Sequence, residues 1–398
     1  MHPMSRHEDE ALPTSLYTLP AIVLLAAVVL SFVGVGFVMP LRALYARDIG
    51  ASSVEVGLMA TAFLLASFVV TPVMGWLADH IGPRTVLGLS LLTYAGLLAA
   101  YVPITSPGAL IALRALEGVS AAGVLTPARA LMNTVAPPER YGEALGLVST
   151  ARYVGILAGP AVGSLLASSV GYTPAFLAAS GVLTLTALAV FLFLRPPTDM
   201  TPHAVSRAPA FSRGFTAPLA LAYGLAVVLA WPQGVTPAIW SLYMQDRGAS
   251  LLLIGLSYTA FALAASALAP VAGRLSDRYG RCQPLLAGLV LAGVVYCVYG
   301  LRLPPGWILA LTLVEGAGLA VARAATDGFL ADHVPQGLQG RIHALFSAAG
   351  TAGSLVAAID SGVLYAVEPG RPLLVMGVLY LLVPVALLIV PARRHLCG

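Results

Sequence analysis

Residues 45–82, YARDIGASSVEVGLMATAFLLASFVVTPVMGWLADHIG, return without a gap as residues 243–280, YMQDRGASLLLIGLSYTAFALAASALAPVAGRLSDRYG, at an offset of 198. Tyr45, Asp48, Gly50, Ser52, Gly57, Phe63, Pro72, Gly75, Asp79 and Gly82 are among the residues that recur, as Tyr243, Asp246, Gly248, Ser250, Gly255, Phe261, Pro270, Gly273, Asp277 and Gly280. The same offset pairs Glu117-Gly118 with Glu315-Gly316, and Pro137 with Pro335. A half followed by its copy predicts a machine whose two halves rock against each other.

Composition sets the medium. Hydrophobic residues make up 59% of the 398, charged residues 10%, and the mean hydropathy is +0.89. A soluble domain is about a quarter charged, so most of this surface is expected to face a lipid bilayer. The net charge of +4 rests on 21 arginines and no lysine. In a chain this apolar the sign reflects topology, and nucleic-acid binding is not expected. Cys282, Cys297 and Cys397 stand far apart without ligand-spaced neighbours, which implies neither a disulfide framework nor a zinc site. The first apolar run, Leu19 to Leu44, is too long for a signal peptide and follows the acidic Glu8-Asp9-Glu10. It is expected to stay as a membrane helix.

A span needs about 20 apolar residues. Apolar runs read against glycine, proline and charge predict twelve: 19–44, 54–78, 85–103, 108–132, 142–168, 172–194, 217–244, 252–276, 283–302, 306–330, 340–366 and 371–391. Some neighbouring runs merge, and the count of twelve leans partly on the repeat. The expected organisation is an N-terminal tail (1–18), a six-helix bundle (19–194), a proline-rich linker (195–216), a second bundle (217–391) and a short tail (392–398). With both termini inside, Arg6, Arg84, Arg140, Arg195, Arg207, Arg213, Arg274, Arg278, Arg281, Arg341, Arg393 and Arg394 are cytoplasmic. Only Arg47, Arg247, Arg302 and Arg371 then lie outside, and that asymmetry predicts both termini and the linker in the cytoplasm.

Three motifs carry a family resemblance. The loop after the second span, Gly75-Trp76-Leu77-Ala78-Asp79-His80-Ile81-Gly82-Pro83-Arg84, and its copy, Gly273-Arg274-Leu275-Ser276-Asp277-Arg278-Tyr279-Gly280-Arg281-Cys282, resemble the G-x-L-[AS]-D-[RK]-x-G-[RK]-[RK] loop of the major facilitator superfamily. Arg114-Ala115-Leu116-Glu117-Gly118 is similar to that family's R-x-x-Q-G, and Gly155, Gly159, Pro160 and Gly163 resemble the G-x-x-x-G-P-x-x-G of its drug:proton antiporter branch. The resemblance implies an all-α membrane protein of twelve helices in two pseudo-symmetric bundles, with a central cavity and alternating access. It also implies export. Read physically, the loop glycines permit a tight turn. The acid at a helix end, with arginines beside it, forms a latch that can be made and broken. Short positive loops that merely fix topology would look similar. The first copy has His80 and Pro83 where basic residues are expected, so its latch is expected to be weaker or differently tuned. The helix-five glycines are read either as close packing of helices or as part of the export machinery.

Charges inside spans cost about 2.5–3.5 kcal/mol each on insertion scales and need a reason. They are Arg42, Arg114, Glu117, Arg129, Arg152, Glu315, Arg323, Asp327 and Asp360. Arg114 with Glu117, and Arg323 with Asp327, are spaced to neutralise one another on one helix face. Arg129 and Asp327 are repeat mates whose opposite charges suggest an inner gate. Glu117, then Asp360, then Glu315 are the expected proton carriers, against the alternative that Glu117 only balances Arg114. Arg42, Arg114 and Arg152, with Tyr153 and Trp240, are candidate cavity residues; an unpaired arginine there suits an anionic or zwitterionic substrate. Tyr45, Trp231, Tyr243 and Tyr258 are further aromatic candidates, although aromatics in helices more often pack or anchor.

The expected function is secondary active transport: proton-coupled efflux of a small organic solute or drug by a monomer in a bacterial-type inner or plasma membrane. The alternatives are an organic-anion transporter built on the cavity arginines, and a non-transporting sensor or lipid-handling protein on the same fold. No Walker loop, nucleophile elbow or metal-spaced histidine cluster occurs, so neither an enzyme nor a bound cofactor is expected.

Overall fold

The computed structural model describes residues 18–137, 140–194, 216–301, 303–335 and 338–389. The expected linker and both tails lie outside these residues, and with them Arg6, Arg195, Arg207, Arg213, Arg302, Arg393 and Arg394 of the topology argument. Among the described residues there is no strand. The helices of the first half are α1 (Leu19–Val38), α2 (Leu41–Asp48), α3 (Ser53–Ile81), α4 (Pro83–Ala99), α5 (Pro107–Val135), α6 (Tyr141–Val170) and α7 (Tyr172–Phe193). Those of the second are α8 (Ala217–Leu229), α9 (Trp231–Val235), α10 (Ser241–Asp246), α11 (Leu251–Tyr279), α12 (Cys282–Tyr299), α13 (Pro305–His333), α14 (Gln339–Val367) and α15 (Arg371–Ile389). Ten helical segments among the described residues are long and apolar enough to cross a membrane, with α1–α2 and α8–α10 each counted as one. With α4 and α15 the described helices make two sets of six.

The first column of each half is broken at nearly the same place. In the first half Met39 and Pro40 separate α1 from α2; in the second, a π-helical turn at Thr236–Trp240, preceded by Pro232 and containing Pro237, separates α9 from α10. Proline lacks the backbone N–H that would continue the helical ladder, and π turns tend to mark functional positions.

The sequence repeat is a repeat of contacts. Ser52 caps α3 in a capping box with Glu55, and Ser250 caps α11 through Leu253 N at 3.3 Å. Tyr45 donates to the carbonyls of Tyr101 and Ile104, and Tyr243 donates to that of Tyr299, the repeat mate of Tyr101. A Cβ on Gly118 would strike the Phe63 carbonyl, and one on Gly316 would lie 2.6 Å from the Phe261 carbonyl. Gly82 and Gly280 turn the two motif loops with φ of 88° and 76°, which favours glycine. The helix-five glycines form a packing seam: a Cβ on Gly155 would lie 2.6 Å from Phe32 Cβ and one on Gly159 2.7 Å from Gly36 Cα, while Gly163 abuts the Phe37 backbone. Cys282 is disulfide-bonded and Cys297 free, although the cysteine spacing points to no bridge.

Candidate functional site

Glu117, on α5, is fully buried at 0% exposure. Its Oε2 accepts from Arg114 Nη1 at 2.5 Å and from Arg42 Nη2, on α2, at 2.7 Å. Arg42 also donates to the Tyr94 hydroxyl at 3.2 Å, and the Arg114 guanidinium lies 4.3 Å from the centre of the Phe63 ring. One turn of α5 therefore supplies the pair expected from spacing, and α2 adds a second cation. The triad carries one net positive charge. Glu117 Oε1, Arg42 Nε and the Tyr101 hydroxyl are buried without a well-formed hydrogen bond, the Tyr101 hydroxyl lying beside Glu117. Arg42 and Arg114 line a small pocket, with room for about one water molecule, together with Met39, Ala43, Val56, Met59, Ala60 and Pro237.

Its repeat mate sits in different chemistry. Glu315, on α13, accepts from the Tyr296 hydroxyl at Oε1 and the Tyr299 hydroxyl at Oε2, both at 2.9 Å, and makes no ion pair. The repeat positions of Arg42 and Arg114 are Trp240 and Thr312. Trp240 is packed, not open to the cavity: it is buried beside Tyr243 and Tyr299, and its indole N–H donates to Ser257 Oγ at 2.8 Å. Of the other candidates, Asp360 is half-buried at the edge of the outward face of α14 that carries Val356, Ile359 and Val363. Arg152 and Tyr153 lie on α6 at mid-length, with Arg152 half-buried and Tyr153 exposed. Tyr101 and Tyr299 were legible in principle, because both are tyrosines 198 apart; Tyr94 and Tyr296 carry no such signal.

The halves meet at one end. There Arg47 binds Asp246 at 2.5 Å and Gln245 at 3.2 Å, and the Tyr365 hydroxyl donates to Asp246 at 2.5 Å. Two seams flank this network. A Cβ on Gly57 would lie 2.8 Å from the Ala358 carbonyl of α14, and one on Gly255 2.5 Å from the Pro160 carbonyl of α6. Gly57 and Gly255 are repeat mates, so the recurrence marks a symmetric closure. At mid-depth Thr259 Oγ1 donates to the Leu157 carbonyl at 2.8 Å. Toward the other end Arg129 (α5), Arg323 and Asp327 (α13) lie within helices and all three are exposed, so the halves stand apart there. Neither Arg129 nor Arg323 forms an ion pair with Asp327 in this conformation.

The two motif loops at that open end differ. In the second, Arg281 binds Asp277 at 2.6 Å, Ser276 Oγ at 3.0 Å and both carboxylate oxygens of Asp332 at 2.8 and 3.3 Å. Hydrogen bonds from Asp332 first, then Asp277, hold the Arg281 guanidinium above its ordinary pKa. Arg278 instead lies over the Tyr279 ring. In the first, Asp79 is exposed, and Arg84 turns away to the Val190 and Phe191 carbonyls at the end of α7, a favourable place for a cation. The two loops thus make different contacts at corresponding positions. Gly75 and Gly273 have nothing within 4 Å of an added Cβ, so neither is required for packing here. Among the described residues no group of three or more His, Cys, Asp or Glu is placed to hold a metal ion.

A sequence profile of the Major Facilitator Superfamily matches residues 24–233 and again 219–396. The chain is 31% identical over 356 residues to the class C tetracycline resistance protein of Escherichia coli, covering 84% of this chain and 88% of that protein. It is 28% identical over 331 residues to the multi-drug resistance efflux pump PmrA homolog of Lactococcus lactis subsp. lactis (strain IL1403), covering 79% and 80%. A crystal structure of a mutant of the nucleoside transporter NupG superposes with a TM-score of 0.78 at 12% identity, over 93% of this chain and 99% of that one. At that identity the likeness speaks for the fold alone.

Proposed function

The chain belongs to the Major Facilitator Superfamily, and from that premise we propose that it is a proton-coupled exporter of a small organic solute or drug, working by alternating access. Its two units are residues 19–194 and 217–391, joined by a cytoplasmic linker at 195–216, and it acts as a monomer in a bacterial-type inner membrane. The arginine asymmetry orients the motif loops to the cytoplasm, so the open mouth faces the side from which an exporter loads. The relatives whose names speak of tetracycline resistance and multidrug efflux support the outward direction.

The observation that carries the coupling is Glu315. It is a buried carboxyl at membrane depth, bonded by two tyrosine hydroxyls and by no cation. A carboxyl there can gain and lose a proton without stranding a partner charge, the behaviour expected of a proton relay. Glu117, gripped by Arg42 and Arg114, is the fixed counter-ion of a cationic triad. Glu315 therefore takes first place among the proton carriers, ahead of Glu117 and Asp360.

The test uses purified protein in liposomes with an internal pH dye, screened with cationic drugs, neutral solutes and organic anions. Wild type is expected to show substrate-dependent proton movement. Glu315→Gln is expected to abolish it while substrate-for-substrate exchange continues. Proton movement that survives in Glu315→Gln would remove this residue from the coupling step, and substrate crossing without protons in wild type would make the chain a uniporter.

A further inference from the structure

The small pocket beside the Glu117 cluster has a wall of one chemical kind. Its polar side chains are the guanidinium groups of Arg42 on α2 and Arg114 on α5; every other lining residue is alanine, valine, methionine or proline, and Glu117 is not among them. Both arginines are buried, at 8% and 5% exposure. Each is ion-paired to Glu117, at 2.7 and 2.5 Å, and among the described residues neither pairs with any other acid. Arg42 has a donor to spare, since its Nε is shut away from solvent without a hydrogen-bond partner. The acids closest along the chain to the lining are engaged or turned outward. Glu55, next to Val56 on α3, accepts from the backbone and hydroxyl of Ser52 at 2.7 and 2.8 Å, and Asp48 at the end of α2 is exposed.

A buried charge is costly unless it is paired, and two guanidinium groups that share one carboxylate leave one positive charge unbalanced. A buried water makes about three hydrogen bonds, giving as well as accepting. In this pocket its hydrogens would meet methyl and thioether groups, because the polar side chains of the wall only donate. An anion asks for donors alone. We propose that the pocket is a binding site for a monoanion of halide size, held by charge-assisted hydrogen bonds from Arg42 and Arg114. The site goes beyond the exporter reading and does not rest on it. Pro237 belongs to the second half and the other lining residues to the first. Further along the short helix that carries Arg42, Arg47 binds Asp246 of the second half at 2.5 Å. An anion in the pocket therefore braces α2 where it meets the second half and stabilises the closure at that end. A carboxylate oxygen of a larger solute carries the same charge, but room for about one water molecule favours a monatomic ion.

Thermal unfolding of the full chain in phosphatidylcholine nanodiscs tests this, with sodium chloride replacing sodium gluconate at constant ionic strength. Chloride is expected to raise the melting temperature saturably, as a ligand of the folded state does, and bromide to do the same. The chloride concentration for half the rise is expected to increase about tenfold in two variants. Arg42→Gln leaves Glu117 paired to Arg114 alone, with the charge balanced; Ala60→Val bulks the pocket wall and leaves both arginines in place. If Arg42→Gln does not fold, Ala60→Val decides alone. No saturable chloride effect on folded wild type overturns the site. So does an equal effect in wild type and the folded variants, which would make it a general action of salt. Acetate acting as strongly as chloride would assign the pocket to the carboxylate of a larger solute and overturn the halide site as well. Binding needs neither protons nor turnover, so this result stands or falls separately from the proton-movement assay.

Discussion

Glu117 and Glu315 occupy the same position in two copies of one design, and their surroundings differ in charge. The first has two arginines and a tyrosine that bonds one of them; the second has two tyrosines and no cation. The backbone frame is shared down to the glycine that follows each acid and the phenylalanine carbonyl it touches. Duplication thus preserved the helix packing and left the polar partners free to diverge. One acid sits in a charge cluster beside a small pocket, and the other is bonded by hydroxyls alone among the described residues.

Removing each acid should separate the two most strongly. Glu117→Ala leaves Arg42 and Arg114 buried without their counter-ion, a loss of about 3–5 kcal/mol for a broken buried pair. Glu315→Ala leaves two tyrosine hydroxyls without an acceptor and should cost less, about 1–3 kcal/mol. Thermal unfolding in detergent, followed by size-exclusion chromatography, reads the order; equal losses would mean that the arginine clamp contributes no more than the tyrosine pair.

The shared frame makes the opposite forecast. Gly118→Ala and Gly316→Ala each drive a methyl group into a phenylalanine carbonyl and should destabilise by similar amounts, about 1–3 kcal/mol. If only one variant melts early, the halves are less alike in packing than the matching phenylalanine carbonyl contacts imply. The smallest effect divides the tyrosines. Tyr299→Phe removes a hydrogen bond to Glu315 and should cost about 1 kcal/mol, whereas Tyr101→Phe removes a hydroxyl that lies beside Glu117 without a well-formed hydrogen bond and should cost less in the same melting assay.

Much of the fold was legible because the repeat exposes itself. Ser52, Gly82, Tyr45 and Phe63 recur, and each makes the same cap, turn or contact in both halves. The Arg114–Glu117 pair was legible from its spacing on one helix. Arg42 as a second partner of Glu117 was not, since α2 and α5 are distant in sequence and no local periodicity links them. The Arg47–Asp246 closure was hidden for a related reason: Arg47 reads as a loop charge that orients the chain, and its partner lies in the other half. Asp332 escaped notice because its repeat position holds Thr134, so the bridge to Arg281 breaks the symmetry that guided the reading.

The interruptions at Met39-Pro40 and at Thr236–Trp240 lie against the same pocket, which Met39 and Pro237 both line. Each half therefore carries a crease beside the same small pocket. Folding at a crease disturbs few backbone hydrogen bonds, because proline has already removed donors there. The short helical ends beyond each crease can tilt while the long helices behind them stay straight, as a hinged shutter moves without its frame.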